Sequence, residues 1–539
     1  MTAKNIIKRW EALTSCQDYT NHRTLAQDVA SLFLPRRSNI QTEKAAGTDV
    51  GWYDHIYDST PINAAQILAT GQFDLLFSGK WFEAESPNPN ADFEVKVAYA
   101  EAGKRMMEVL RSSNFELEMQ EFLVDRSTIH TSLMLIEEDD DDVIFCTHIP
   151  AAEYSIAEDY KKRVDTVYRC YKLTARQAVQ KFGEENLGEK VLEAARNEQK
   201  QDEEFTFIHA IEPRKMRKAD SPAAKDKPWA SINVCKEDEK TVSEGGYDEQ
   251  CFISSRYDRW GRSPYGTGPS HVELSTARGL QKMRQTILAL GDRVTSPGLF
   301  VSTRQEGDIN PFGVTVVDDQ DAALNLPREW QSRSEYNVSK DVVDDERRRL
   351  EESFLVPLFK LLTSDHEQNR EKTAYEVSKM LDEQVGRAAP TFKRLTVEVL
   401  EKLLNRVFAI MVRKGLFNDI IQNMVITDAE GQAVGIQTPK INFTSKLALA
   451  FKAVENNALV AFQSVMAGVI QLNPEVLDNL NQDKSFRRTW ENLGLPLEDL
   501  HSPEEVQAKR DERMQMQQMM AAVEAAPQLG KAAKDFSAA

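Results

Sequence analysis

The chain has little of what metal, disulfide or nucleotide chemistry requires. Five cysteines (Cys16, Cys146, Cys170, Cys235, Cys251) are scattered through 539 residues, odd in number and without C-x-x-C spacing. That favours a reducing compartment and argues against zinc. Eight histidines (His22, His55, His130, His148, His209, His271, His366, His501) show no ligand spacing, so neither a metal nor a cofactor is expected. The motif G-x-x-x-x-G-K-[ST] is missing, which removes a P-loop ATPase, and so are G-x-S-x-G and H-E-x-x-H. Gly266-Thr267-Gly268-Pro269 is a truncated dinucleotide fingerprint, better explained as a turn before a helix with Pro269 in its first turn. No apolar run approaches the ~20 residues of a membrane span. Met1-Thr2-Ala3-Lys4 leads into a polar, Trp-containing helix without a signal-peptide core. Positive charge is also short: Lys and Arg number 67 against 85 Asp and Glu, a net charge of −18. A conventional DNA-binding domain would be basic. An acidic balance serves solubility, or a surface that touches DNA without gripping it. An enzyme is therefore not expected.

What is present is material for several cores. Hydrophobic residues make up 41% of the chain, and its length suggests roughly three to four domain-sized units. The stretch from Ser270 to Phe354 reads helix, short β segment, helix. Ser270 and Glu273 spell a capping box behind Pro269. Ala277, Leu280, Ile287 and Leu288 then recur at helical spacing as far as Val294, a helix roughly 36 Å long. Lys282 and Arg284 fall on its other faces. Leu299 to Val301 and Val314 to Val317 are β-prone, with Asn310-Pro311-Phe312-Gly313 between them. A charge-rich helix runs from about Ser334 to Phe354, before Pro357.

Around this unit the chain is mixed. Helices are expected over 1–34 and again from Thr60, broken at Ser78-Gly79 and followed by a core pair, Trp81-Phe82. Residues 91–130 read as helical. Leu133 to Ile136 and Val143 to Cys146 flank an acidic hairpin tip, Glu137 to Asp142, which lacks the spaced ligands and Gly of a calcium loop. Val164 to Leu173 reads as a strand, and Thr174 with Gln177 caps a helix ending at Phe182-Gly183. A charged helix is expected over 184–204, then strands at Phe205–Ile211, Ser231–Cys235 and Phe252–Ser254, with a turn at Gly245-Gly246. A polar stretch, Thr363 to Lys372, precedes a long helix capped by Thr373 and Glu376. Gly386 and Pro390 should kink that helix, which resumes to Lys414-Gly415. Strands at Met424–Ile426 and Ile436–Phe443, apolar helix from Leu447 to Ile470, and a Gln/Met/Ala-rich tail complete the chain.

The order of several short motifs resembles one family, the portal or head-to-tail connector proteins of short-tailed (podovirus) double-stranded DNA phages. They are Tyr57-Asp58-Ser59-Thr60 with Trp81-Phe82, Leu173-Thr174-Ala175-Arg176-Gln177 with Lys181-Phe182-Gly183, and Ile208-His209-Ala210-Ile211 with Pro213-Arg214. Next come Tyr265-Gly266-Thr267-Gly268-Pro269 and Lys372-Thr373-Ala374-Tyr375-Glu376-Val377, followed by Pro390, Arg394-Leu395 and Arg406-Val407-Phe408. Where such proteins usually carry Arg-Trp and Gly-Glu before the Tyr-Gly turn, this chain has Arg256-Tyr257 and Arg262-Ser263-Pro264. A Gly-Pro of the long helix appears here as Ala389-Pro390.

The resemblance implies an α+β, mainly α, portal fold. Its parts would be a wing over 1–269, stem helices over 270–294 and 334–356, and a clip over 295–333. A tunnel loop, kinked helix and second wing part would span 357–442, a crown 443–500 and a tail 501–539. It further implies a dodecameric ring at one capsid vertex, assembled in the host cytoplasm with major capsid, scaffolding and internal core proteins. DNA would pass through without sequence specificity, and no membrane would be involved. The terminase large subunit, and later a tail adaptor or tube protein, would dock on the clip at Arg304, Glu306, Asp308, Asp318, Asp319 and Asp321. His366, Arg370 and Lys372 of the tunnel loop would face DNA, with Lys282 and Arg284 as stem channel candidates. An inner-capsid or ejection protein is the alternative, although it would lack the helix–β–helix unit before a capped, kinked helix.

Overall fold

The computed structural model describes residues 2–41, 53–88, 91, 93–217, 221, 223–295, 299–300, 328–329, 336–363, 386, 389–427, 433–445, 483–484, 486–487, 490 and 505–519. Contacts divide the chain into two compact units, Met1–Leu75 with Glu108–Lys414, and Leu76–Met107 with Gly415–Ala539. Helix and sheet are mixed, as the α+β class requires.

In the first unit, α1 (Ala3–Thr14) and α2 (Gln17–Phe33) lead to a 3-10 turn at Pro35–Arg37, where Pro35 removes an amide donor. Helix α3 (Thr60–Phe77) starts behind Asp58, whose carboxylate accepts the Thr60 N–H at 2.9 Å. The helical stretch expected over 91–130 is two helices, α4 (Phe93–Ser112) and α5 (Phe115–Thr128). Between them the Asn114 amide accepts from the Cys146 N–H at 2.9 Å and donates to its carbonyl at 2.7 Å. A side chain committed to a neighbouring strand in this way favours the break.

Strands β2 (Thr131–Asp139) and β3 (Val143–Ile149) form the expected hairpin, and β9 (Phe252–Arg256) pairs on the other side of β2. A second antiparallel sheet runs β4 (Tyr154–Glu158), β5 (Val164–Thr174), β6 (Glu204–Pro213), β7 (Trp229–Cys235), β8 (Lys240–Tyr247). Leu133, Leu135, Ile156, Val167, Ile211 and Phe252 fill a core shared by the two sheets. Ile6 and Trp10 of α1 cover Tyr168, Ile208 and Ile232. Helix α6 (Ala175–Phe182) has the reciprocal Thr174–Gln177 capping box and ends at Gly183, whose φ is +75°.

Two expectations fail here. The helix expected over 184–204 is a 3-10 turn and α7 (Glu189–Arg196) only; after it Asn197 accepts the Gln199 N–H at 3.1 Å and turns the chain. Gly245 and Gly246 are not a turn but lie inside β8. An added Cβ at Gly246 would come within 2.5 Å of the Ala224 carbonyl oxygen and 2.6 Å of that of Trp229. Close backbone approach, not chain reversal, requires glycine there.

A small hairpin, β10 (Asp258–Arg259) with β11 (Gly266–Thr267), precedes α8 (Pro269–Val272) and α9 (Leu274–Thr295). The helix start is where it was expected, but the Ser270–Glu273 capping box is absent. Gly268 takes the N-cap position, and the Ser270 hydroxyl bonds the Thr128 carbonyl and His130 Nε2 instead. β12 (Leu299–Phe300) pairs antiparallel with β13 (Arg328–Glu329), and α10 (Tyr336–Ser353) follows. Leu355 at φ +56° redirects the chain into α11 (Val356–Thr363), which the sequence did not signal. Gly386 and Pro390 are helical; the described irregularity of this stretch is a π turn at Thr396–Leu400. The helix continues as Glu401–Arg413 and is closed by Gly415 at φ +74°. The Thr373–Glu376 cap lies outside the described residues.

In the second unit, α3 ends at Gly79 with φ +70°, and Trp81 and Phe82 are buried as expected. The strand expected over 436–443 is divided: β14 (Val425–Thr427) pairs with β15 (Ala433–Ile436), while β16 (Lys440–Phe443) pairs with β1 (Phe82–Glu85). Gly103 of α4 lies on this pair, where a Cβ would come within 3.0 Å of the Ala84 amide nitrogen. Arg105 makes a fork to Asp419, both bonds 2.6 Å. Residues 505–519 are helical. The apolar run Leu447–Ile470 lies outside the described residues.

Candidate functional site

Helix α9 leaves the core half-way along its length. Leu274, Ala277, Leu280 and Gln281 are buried, whereas every residue from Lys282 to Asp292 is at least partly exposed. Its partner α10 buries Val343 and Leu350, seven residues apart and therefore on one stripe, and is charged around the rest of its surface. The β12–β13 pair joins the connecting segment at its two ends.

A buried polar node ties this helix pair to the core. The Gln281 amide accepts the Tyr57 and Asp58 N–H groups at 2.7 and 2.8 Å and donates to the Asp58 carbonyl at 2.8 Å. Arg347 of α10 donates to the other carboxylate oxygen of Asp58 at 2.9 and 2.6 Å, and to Asp344 at 3.0 Å. Burial pushes the Asp58 carboxyl up, but the Thr60 and Arg347 hydrogen bonds outweigh it and hold the group below its usual range. Asp58 thus caps α3 while joining α9 and α10, three elements far apart in sequence.

A second buried node lies next to the turn that precedes α8. Arg126 donates to Ser255 Oγ at 3.0 Å, Gln72 Oε1 at 2.9 Å and the Thr391 carbonyl at 3.1 Å, with its guanidinium 5.1 Å from the Tyr257 ring centre. Burial lowers its pKa to about 10, so it stays cationic at neutral pH. Arg256 bonds Glu158 and, at 2.9 Å, Glu398. The glycines of the Tyr265–Pro269 turn are required by contact: a Cβ on Gly266 would come within 2.1 Å of the His130 carbonyl, and one on Gly268 within 2.6 Å of the His130 ring.

Of the residues singled out from sequence, Lys282 and Arg284 are described. Lys282 is exposed beside Tyr57 and Gln285, and Arg284 is partly buried. Two positions apart on a helix, they point about 200° apart and do not share a face. Arg304, Glu306, Asp308, Asp318, Asp319, Asp321, His366, Arg370 and Lys372 lie outside the described residues. Sequence reading missed Gln281 and Arg347 as anchors; Arg347 sits in a run of three arginines that gives no sign of which one turns inward. Among the described residues there is no group of side chains arranged to hold a metal ion, and no helix long and apolar enough to cross a membrane.

The chain thus has a helix pair anchored at Asp58, a β pair between the two helices and a Tyr-Gly-Thr-Gly-Pro turn before them. The model of the family described as bacteriophage head to tail connecting protein matches residues 3–500. The chain belongs to that family. It is similar to the portal protein of Salmonella phage epsilon15, with 27% identity over 533 residues, 95% of this chain and 91% of the relative. The probable portal protein of Bordetella phage BPP-1 is 26% identical over 531 residues, 96% and 92% of the two chains. Membership in this structural family gives the connector a portal role in phage DNA packaging, at the junction of head and tail. At the Arg256-Tyr257 position the phenol ring of Tyr257 lies against the buried guanidinium of Arg126.

Proposed function

We propose that the connector works as one subunit of a closed, dodecameric ring at a single capsid vertex, a passive conduit without catalytic activity of its own. The reading rests on one observation: a polar helix pair anchored at the Asp58–Gln281–Arg347 node, with the described residues of α9 beyond Gln281 at least partly exposed, in a chain of the connector family. Residues 270–294 and 334–356 are its stem, 295–333 the clip, 1–269 with part of 357–442 the wing, 443–500 the crown and 501–539 a tail. Leu288 and Val342, 47% and 46% exposed on the helix pair, suit burial against neighbouring subunits. The clip carboxylates Glu306, Asp308, Asp318, Asp319 and Asp321, with Arg304, receive the terminase large subunit and then the tail adaptor. The loop with His366, Arg370 and Lys372 meets DNA phosphates, and Lys282 or Arg284 lines the stem channel. Capsid, scaffolding and internal core proteins contact the remaining surface. Negative-stain imaging of the purified chain tests the reading: closed rings are expected, and monomers or dimers alone would overturn it.

A further inference from the structure

A basic cleft of about 470 Å³ lies at the N-terminal end of the Glu401–Arg413 helix. Six of its lining residues are cationic, Lys162, Arg163, Arg256, Arg259, Arg394 and Lys402, against the carboxylates Glu398 and Glu401. Part of this charge is matched: Arg256 by Glu158 and Glu398, Lys162 by Glu158 at 3.6 Å, Arg394 by Asp258 at 2.9 Å. Arg163, Arg259 and Lys402 have no carboxylate partner among the described residues. Arg256 Nε, in a side chain only 5% exposed, has no acceptor. Burial lowers the Lys402 pKa, and repulsion from Arg256 and Arg163 adds to this against the pull of Glu398. Within one chain the cleft is short of anions.

The other end of the same helix carries the opposite sign. Arg413 pairs with Glu138 and Glu249 there, and above them the β2–β3 tip exposes Asp140, Asp141 and Asp142. The Asp139 carboxylate shapes the tip by accepting the Asp141 and Asp142 N–H groups at 3.1 and 2.9 Å. Asp141 and Asp142 have no ion-pair partner among the described residues. The 13-residue helix separates the two regions by about 20 Å.

We propose that the cleft takes the acidic β2–β3 tip of a second copy of this chain. The inference rests on the ring reading and names its contact. A surface and its complement at opposite ends of one rigid helix make a head-to-tail contact, which repeats and closes into a ring. Guanidinium forks match carboxylates two bonds at a time. A cleft of this volume holds a few side chains, whereas a DNA duplex is too wide to enter it.

Sedimentation velocity and negative-stain imaging of the full chain test this. Arg163→Glu with Lys402→Glu, and separately Asp140→Lys with Asp141→Lys, should each raise the protein concentration needed for rings by about tenfold or more. All four substitutions in one chain should restore assembly, a result that a folding defect does not produce. Rings unaffected by either pair would overturn the contact and leave the ring reading standing. Loss only with the cleft variant, or loss of binding to a labelled DNA duplex with rings intact, would assign the cleft another occupant and overturn the proposal. A wild-type chain that never forms rings sinks the ring reading itself. The cleft is then judged by a labelled peptide of residues 135–146: binding to wild type but not to the Arg163→Glu, Lys402→Glu chain supports it, and equal binding overturns it.

Discussion

Asp58 shows how much one residue can hold. Its carboxylate caps α3 and receives Arg347, while its backbone is held by Gln281. Asp58→Ala removes the Arg347 bonds to Asp58, leaves that to Asp344, and frees the Thr60 amide. The opening free energy around the node should fall by about 2 kcal/mol, so amides of α3 and the start of α9 exchange roughly thirtyfold faster. Unchanged exchange would remove the anchoring role. The histidines set a different dependence. Burial lowers the pKa of His22 to about 3, of His209 to about 3, of His271 to about 4, and of His130 well below its ordinary 6.5. The unfolded chain therefore binds more protons than the folded one between pH 6.5 and about 4. Stability from these groups is fully present above pH 6.5 and is lost as pH falls towards the folded values. His22 stacks on Tyr265 with ring centres 4.1 Å apart. His22→Phe keeps a ring there and should flatten the fall in unfolding midpoint between pH 6.5 and 4; an unchanged slope would exclude His22 as a contributor.

At the scale of the element, the helix pair combines a fixed base with exposed flanks. The first helix was legible from its apolar period and the second from its run of charge before Pro357, and the observed limits, Leu274–Thr295 and Tyr336–Ser353, fall within a few residues of those expected. The capping box expected at Ser270 does not form, because Ser270 has a better partner in His130, brought to it by the turn between α5 and β2, 140 residues earlier. The proposed clip at the far end is acidic, which suits a basic motor surface. Asp318→Lys with Asp319→Lys should leave rings intact and slow association with the terminase, most visibly at low salt. Unchanged motor affinity and packaging would remove docking from these two residues.

At the scale of the whole molecule, a net charge of −18 on a DNA conduit means that contact with the duplex must be local and weak. If the loop faces the channel as proposed, Arg370→Ala with Lys372→Ala should change folding stability by no more than about 0.5 kcal/mol. The same pair should impair packaging or retention of the genome, because the proposed phosphate contacts in the channel would be lost. Particles that fill and hold a full genome at wild-type yield would return this loop to an ordinary surface connection.

The sequence by itself determined which stretches are helix or strand wherever a period was long and its punctuation local. The Thr174–Gln177 cap, the Gly183 and Gly415 stops, the β2–β3 hairpin and the helical runs of α9 and α10 all depend on residues near one another in the chain. Motif order also carried the family. Tertiary structure alone decided the rest, because its determinants are distant in the chain. Gly246 is glycine because two carbonyls crowd it; β16 pairs with β1 across more than 350 residues; Asp58 finds Arg347 across 289. The cleft belongs to the same class. Its cations come from β9, β10, the loop before β5 and the helix after Pro390, and a sequence that is acidic overall conceals a basic site until folding brings those four segments together.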